Sequence, residues 1–549
     1  MALFSKPAYY PTIARTLPSP GAFRYSALLP FPPTAKAPIM KHEFTRRQVL
    51  TMLAGAGAAS VCGITCAPTR PASLLPTLPG EAVALTNVRV VDVAAGRILP
   101  SHSVLIESGL IRGVHPDRDP ALVQARPIDC RGAYLIPGLI NAHCHICSPS
   151  FINIGLGDMG AARDQIVQNY ADAVAWGVTT VRDMGAMPKM IAQDRVAIER
   201  GELLGPHILT AMSIITVPDG YPDFIGDVNW FVGSLMGYPN IRAKNAAQAR
   251  DAVKRVRDYG ADWVKIAMDD RSFVYGRGKL AELSDDQLHA ILDEAAKQGL
   301  PVGCHHLYGQ GLDRALAFGV NSLEHVVMDQ PLTDKQLQRT LEAKTPQIPT
   351  LSVGVAMAFA SPGDPLCDDP QILDILAWKE KALTPQIPLH ATPAIAKKQL
   401  DIRRFYESGD YTLPENKRLI AFDPQLATRG LLTARANAQR LIAADAPLGI
   451  GNDSGVPFDF PGMLHLEMEL LVRLGMTPAR ALRAATLDNA AYCRVADKCG
   501  SIAPGKRADL VLLSDDPLAD VKNVGRVRAV FKSGDLVAQA DGFRLAVMD

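Results

Sequence analysis

Between residues 139 and 451 short apolar runs alternate regularly with amphipathic stretches, and this alternation restricts the fold more than any other feature of the chain. Strand candidates lie near residues 178–182, 207–215, 262–267, 301–304, 320–324, 347–352 and 447–451. With the strand leading into His143 they number eight. Helical stretches separate them, for example Asp285–Gln298 and Ala434–Ala444. Eight strands, each followed by a helix, predict an α/β chain closed as a parallel (β/α)8 barrel.

Both ends read differently. Residues 82–135 are short strands and turns (VALTNVRVVDV, VLIESGLIRGV, GAYLIP), and the last 50 residues repeat that style in GSIAPGKRADLVLL and VRAVFKSGDLV. The expected organisation is therefore a small β-sandwich domain shared by residues 81–135 and 500–549, with the barrel over 136–499. Residues 355–430 exceed what a barrel needs; they are Pro-punctuated and helical in pattern (ILDILAWKEKAL, AIAKKQLDIRRFYES). An insertion between the seventh and eighth strands opens at the C-terminal face, where it can act as a lid or an oligomer contact. A homo-oligomer is thus one expectation.

The first 80 residues read as a leader. Residues 1–39 are rich in Pro, Tyr and Ser without apolar period; MKHEFTRRQVL then precedes the small-apolar run TMLAGAGAASVCGIT. Arg46-Arg47 ahead of a modestly hydrophobic stretch is the layout of a twin-arginine export signal over about residues 40–67, which predicts a periplasmic protein. Such signals begin near the initiator, so Met40 is a candidate start. The run is too short and too rich in Gly and Ala to span a bilayer, so no transmembrane segment is expected in the mature chain. Thr65 before Cys66 makes a poor lipobox, which leaves lipid anchoring at Cys66 a minor alternative. The net charge of +1 does not suggest nucleic acid or an anionic membrane as partner. The nine cysteines follow no zinc-finger or small-disulfide spacing. Cys144 and Cys304 read as small buried fillers, and whether Cys493 and Cys499 form a disulfide is a matter of geometry.

Five clusters carry the chemistry, each at the C-terminal end of an expected strand, where such barrels place their active sites. PGLINAHCHI holds His143 and His145, alternate residues of one strand that point the same way. DWVKIAMD holds Lys265, VGCHHLYG holds His305, VNSLEHV holds His325, and PLGIGNDSG holds Asp453. Any one strand-end histidine is also explained as a hydrogen-bonded core group; five clusters in order outweigh that explanation. Imidazole and carboxylate suit zinc, and also manganese or cobalt. For Lys265 the plain alternative is a salt bridge to Asp269 or Asp270.

These motifs, with GVTTVRDMG, the IPTLS strand, TPARALRAATLDNAA and GSIAPGKRADLVLL, resemble the amidohydrolase superfamily, within it the imidazolonepropionase-like and Xaa-Pro dipeptidase-like branch. The resemblance runs from about residue 82 to the C-terminus. It implies two divalent metal ions, with His143 and His145 on one, His305 and His325 on the other, and a carboxylated Lys265 bridging them. Asp453 would bind the first metal and take the proton from the attacking hydroxide. Two metals about 3.5–4 Å apart can share a hydroxide at neutral pH and polarise the scissile carbonyl. An ammonium cannot bind a cation, whereas carboxylated by CO2 the lysine becomes an anionic bridge; burial helps by disfavouring the ammonium.

The chain departs from the dipeptidases at two places. Leu307 stands where a second histidine often follows the fifth strand, and VPDGYPDF replaces a His-containing loop after the third, with Tyr221 near the histidine's place. Tyr221, Trp230 and Tyr308 are pocket candidates, though loop aromatics also serve plain packing, and His465 (GMLHLEMELL) is a candidate support for the site. The function expected is a metal-dependent hydrolase cleaving a C–N bond, amide or peptide-like, of a small substrate. Lactone hydrolysis and deamination are the alternatives within enzymes, and an exported binding protein without catalysis is the alternative outside them.

Overall fold

Ser108-Gly109 and Ser533-Gly534 each have both residues at positive φ. This is the two-residue turn whose twist suits a tight hairpin. In the computed structural model, which describes residues 81–150, 158–222, 233–234, 236–272, 279–360, 365–408, 424–543 and 545–547, the two turns meet. A Cβ on Gly109 would lie 2.7 Å from the Ser533 carbonyl oxygen, so only glycine fits where the hairpin tips touch. The expected leader and export signal, Cys66 and Trp230 lie outside the described residues.

In chain order the strands are β1 (Ala82–Asp92), β2 (Arg97–Glu107), β3 (Leu110–Pro116), β4 (Arg126–Asp129), β5 (Tyr134–Pro137), β6 (Leu139–Cys144), β7 (Val178–Asp183), β8 (His207–Thr210) and β9 (Ile214–Thr216). They continue with β10 (Asn240–Arg242), β11 (Val264–Ala267), β12 (Val302–His305), β13 (Ser322–Glu324), β14 (Gln347–Ile348), β15 (Leu510–Leu513), β16 (Val527–Lys532), β17 (Asp535–Gln539) and β18 (Ala546–Val547). The two ends of the chain share one sheet, ordered β17-β16-β15-β5-β1-β2-β3, with β4 pairing β1 and β18. The join is antiparallel, with Leu512 opposite Leu135. All four residues of β15 are buried, because the strand is covered on both faces. Leu510 and Leu512 face the sheet's own core with Leu85, Val104, Leu135 and Phe531. Val511 and Leu513 face the main core. That period of two is what binds the shared sheet to the rest of the chain.

The remaining strands are parallel, in a three-stranded sheet β6-β7-β8 and a six-stranded sheet β10-β9-β11-β12-β13-β14. The N–H groups of Asp262 and Trp263 donate to the Thr210 carbonyl and tie the start of β11 to the end of β8. On the other side, residues 447–454 run between β14 and β6. Gln347 N–H donates to Pro447 O, Ala142 N–H to Ile450 O and Asp453 N–H to His143 O, each at 2.9 Å. The strand expected at 447–451 is present only as isolated bridges, Leu448 to Gln347 and, just beyond, Ser454 to Cys144. The reason is a side chain brought in from further along the chain. Asn489 inserts its amide and bonds both Ile140 O and Ile450 O at 2.7 Å, replacing part of the ladder. A Cβ at Gly451 would come within 2.6 Å of the His143 nitrogen.

Two more expectations change. The run 207–215 is split into β8 and β9 by Met212, whose φ is +62°. The run 347–352 keeps only two strand residues; Thr350 turns left-handed and the helix Leu351–Ala356 follows. The helical stretch expected at Asp285–Gln298 is the helix Asp285–Lys297, and capping boxes at Ser284/Gln287 and Thr333/Gln336 start it and the helix Asp334–Ala343. The extra segment holds the helices Pro370–Trp378 and Pro393–Ser408, and the helix Pro424–Ala443 runs unbroken through residue 430. Cys493 and Cys499 are buried free thiols, as are Cys144 and Cys304. Among the described residues no helix is long and apolar enough to cross a membrane.

Candidate metal centre

His143 lies in β6 and His145 just past it; His305 closes β12, His325 follows β13 and Asp453 follows the bridged segment. All five converge at the C-terminal ends of the parallel strands. Asp453 is the hub. Its Oδ1 is 3.2 Å from His143 Nε2 and 3.2 Å from His145 Nε2, and its Oδ2 is 4.0 Å from His325 Nδ1. Ligand atoms of His143, His325 and Asp453 all lie within 4.8 Å of one another. The His305 and His325 rings meet edge to face at 4.5 Å. The tightest group thus draws a histidine from each of the two expected pairs.

Lys265 is the second residue of β11 and not its end, as the sequence suggested; it is opposite Gly303, two residues below the level of His305. It is 3% exposed, and among the described residues no hydrogen bond or ion pair engages its amine. The alternative partners are taken. Asp269 accepts the Leu307 and Tyr308 N–H groups and lies 3.3 Å from His305 Nε2. Asp270 pairs with Arg271 and Lys279. Burial lowers the Lys265 amine below its ordinary value, although the Glu324 and Asp453 carboxylates pull the other way.

Burial and charge around the hub favour neutral His305 and His325 and an ionised Asp453. Burial alone would raise Asp453, but His143 and His145 overrule it and hold the carboxyl well below the usual range. Burial pushes His305 and His325 well below the ordinary imidazole value. It also works against a charged His145, yet the Asp453 carboxylate beside that ring raises it.

Each imidazole beside Asp453 has its Nδ1 held, which for His143 and His145 is the nitrogen away from Asp453 and for His325 the one 4.0 Å from Asp453 Oδ2. His143 Nδ1 is 2.7 Å from Glu324 Oε2, His145 Nδ1 is 2.8 Å from Gly185 O, and His325 Nδ1 is 2.7 Å from Thr350 Oγ1. Partners of this kind set the tautomer and leave Nε2 for a metal. Glu324 is held in turn by Arg182, which is fully buried and donates to both carboxylate oxygens at 2.8 and 3.1 Å. Arg182 also lies over the Trp263 ring at 4.3 Å. Burial alone would raise Glu324, yet Arg182 and His143 hold it well below its ordinary value. Removing one partner of such a buried pair costs about 3–5 kcal/mol. Arg182, Glu324 and Thr350 were not singled out in the sequence, though VRD and LEH carry the first two within recognised motifs, and Asp269 was considered only as a partner of Lys265.

The weaker candidates divide. Tyr221 stacks on His305 with centroids 3.9 Å apart and belongs to the site wall. Tyr308 is buried beside Leu307, with Arg271 over its ring at 4.9 Å. His465 does not reach the centre; it stacks on Trp176 at 5.1 Å within a separate cluster that includes His390. Burial drives it down to about 3, with His390 adding to the effect.

The donor set passes a test of fit for divalent metal. His143 Nε2, His305 Nε2 and Asp453 Oδ1 are buried and accept or donate no hydrogen bond among the described residues. Buried polar atoms are ordinarily paired, so converging orphans of this chemistry suit a cation.

The site is thus a histidine–aspartate cluster at the C-terminal ends of parallel strands. Residues 134–537 match the amidohydrolase family, and the chain belongs to it. Ochratoxinase of Aspergillus niger is 23% identical over 511 residues, covering 86% of this chain and 92% of that protein. An uncharacterized protein of Mycobacterium bovis is 30% identical over 224 residues, 40% of this chain and 51% of that protein, so the chain matches only about half the length of such mycobacterial relatives. The solved structure of a putative prolidase from Bifidobacterium longum superposes with a TM-score of 0.62 at 25% identity, covering 85% of this chain and 97% of that one.

Proposed function

We propose that the chain is a metal-dependent hydrolase of a C–N bond, amide or peptide-like, in a small substrate. The observation that carries this reading is the convergence of His143, His145 and His325 on the Asp453 carboxylate, each ring fixed at Nδ1 by a neighbouring acceptor. His143, His145, His305, His325, Asp453 and a carboxylated Lys265 would hold two divalent ions, zinc by preference. When bound, such ions polarise a carbonyl and lower the pKa of water towards neutrality. Asp453, ionised and with 16% side-chain exposure although its Oδ1 is buried, is placed to accept a proton on its carboxylate and hand it to the leaving nitrogen. The Glu324 carboxylate orients His143 and the Thr350 hydroxyl orients His325, each at Nδ1. Burial of the Lys265 amine favours its reaction with CO2, which releases a proton and leaves a carbamate anion.

The parallel strands support a (β/α)8 barrel over residues 136–499, closed by residues 447–454 between β14 and β6. The shared sheet enclosing its own core supports a small β-sandwich over 81–135 and 500–549. Leu307 and Tyr308 pack with Met328 and Leu426 as an apolar cluster beside His305, which favours an amide larger or more apolar than a small dipeptide. Likeness to a prolidase and an ochratoxinase puts dipeptides and ochratoxin on the substrate panel. The layout of about residues 40–67 supports periplasmic export, with lipid anchoring at Cys66 the lesser route. Elemental analysis together with hydrolysis of dipeptide, N-acyl, ochratoxin and lactone substrates tests the reading. About two metals per chain and amide turnover are expected. Two metals with lactone turnover alone would overturn the C–N assignment, and a metal-free inert protein would leave a binding role.

A further inference from the structure

Two residues beyond His465, on the helix Leu464–Arg473, Glu467 is fully buried. Its carboxylate accepts the Leu351 N–H at Oε1 (2.9 Å) and the Ser352 N–H at Oε2 (2.6 Å). Those two groups open the helix Leu351–Ala356, and the residue before it, Thr350, has φ +52° and ψ +43°. A β-branched residue in the left-handed region is costly, about 1–3 kcal/mol, and persists only where its surroundings impose it. The Thr350 hydroxyl is the group 2.7 Å from His325 Nδ1. The same turn reaches the Asp453 side, since Ser352 Oγ donates to Asn452 O at 3.4 Å.

We propose that Glu467 is a positioning residue for His325: by clamping the Leu351 and Ser352 N–H groups it holds Thr350 in its left-handed turn, and so fixes the hydroxyl that orients the imidazole. This rests on the metal-centre reading of His325. The relay is serial. A buried carboxylate imposes a strained turn, the turn presents a hydroxyl, and the hydroxyl accepts Nδ1–H and leaves Nε2 for the metal. A glutamate serving only to start a short helix would not need the strained residue ahead of it to touch a candidate ligand.

The test is titration of the full chain with Zn2+ against a competing chelator, for Glu467→Gln, Thr350→Val, Thr350→Ser and the double variant of the first two. Loss of an orienting partner typically weakens metal binding about 10–100-fold. Glu467→Gln and Thr350→Val should each show that loss, and Thr350→Ser, which keeps the hydroxyl, should stay near the wild type. The double variant should be no weaker than the worse single one, because both break one relay. Independent structural roles would instead make the losses multiply. Glu467→Gln binding Zn2+ as tightly as the wild type, with only its melting temperature lowered, overturns the proposal, as do multiplying losses. If Glu467→Gln does not fold, Glu467→Asp, one methylene too short to reach both N–H groups, is judged by the same titration. A wild-type chain that binds no Zn2+ would overturn the metal-centre reading and this relay with it; tight binding in wild type and variants alike would overturn the relay alone.

Discussion

Lys265 is the residue on which most of the proposed chemistry turns. A long amine that is 3% exposed and bonded to nothing among the described residues is expensive as an ammonium. Carboxylation converts it into a ligand of the required sign. Lys265→Ala should reduce bound metal from two per chain towards one or none and lower turnover by several orders of magnitude, with folding largely kept. A small carboxylic acid should restore part of the activity. Elemental analysis beside steady-state kinetics decides it: two metals and near-normal turnover would make Lys265 a packing residue. His465 supports a different expectation. Burial and His390 depress its folded value to about 3, whereas an unfolded histidine titrates near 6.5. A depressed histidine contributes stability that is fully present above about pH 6.5 and is lost as pH falls towards 3, because only the unfolded chain takes the proton. From pH 7 to pH 5 this one group should remove about 2 kcal/mol. His465→Phe, which keeps the stacking on Trp176, should flatten that slope in urea melts at the two pH values; an unchanged slope would show that other groups govern the acid limb.

At the scale of elements, the extra segment is more than an appendage. Gln399, on the helix Pro393–Ser408, is buried and donates to Ser150 O at 2.5 Å while accepting the Phe458 N–H at 2.6 Å. Ser150 follows His145, and Phe458 follows Asp453. One amide from the segment therefore ties together the two loops that leave the metal centre. Lys379 adds a second tie, lying over the Phe458 ring at 5.7 Å while it donates to Ala358 O at 2.8 Å within the segment. Gln399→Leu should strand the Phe458 N–H and cost about 1–3 kcal/mol. Metal content should hold, since no proposed ligand lies in the segment. Substrate preference should shift because the loops are freed. Thermal melts with elemental analysis and the substrate panel read all three, and loss of metal would show that the segment also supports the ligands directly.

The whole molecule brings in its route through the cell. Arg46-Arg47 precede a run too short and too rich in small residues to anchor in a bilayer. Replacing both by Lys should leave the protein in the cytoplasm, as cell fractionation with an antibody would show; a variant still found in the periplasm would exclude the twin-arginine route. A peptide from residues 1–39 in the cellular protein would likewise exclude Met40 as the start.

What was legible in the sequence was whatever depends on local pattern. Alternation of apolar and amphipathic stretches located the parallel strands, and His-x-His, the LEH run and GNDSG located the strand ends that meet around Asp453. Contacts across long sequence distances were not legible. Arg182 and Glu324 are 142 residues apart, and Leu351 and Glu467 are 116 apart. Nothing in either neighbourhood shows that the pair will meet. His465 and Glu467 lie on the same short helix, yet only the packing of that helix decides that the histidine turns to Trp176 and the glutamate towards the Thr350 turn. The eighth strand was legible as an apolar run but not as a broken ladder, because the amide of Asn489 that replaces its bonds arrives from 39 residues further on. Ligand type follows from residue chemistry and local spacing; which groups orient those ligands follows from burial, which forces each polar atom to find a partner wherever the fold places one.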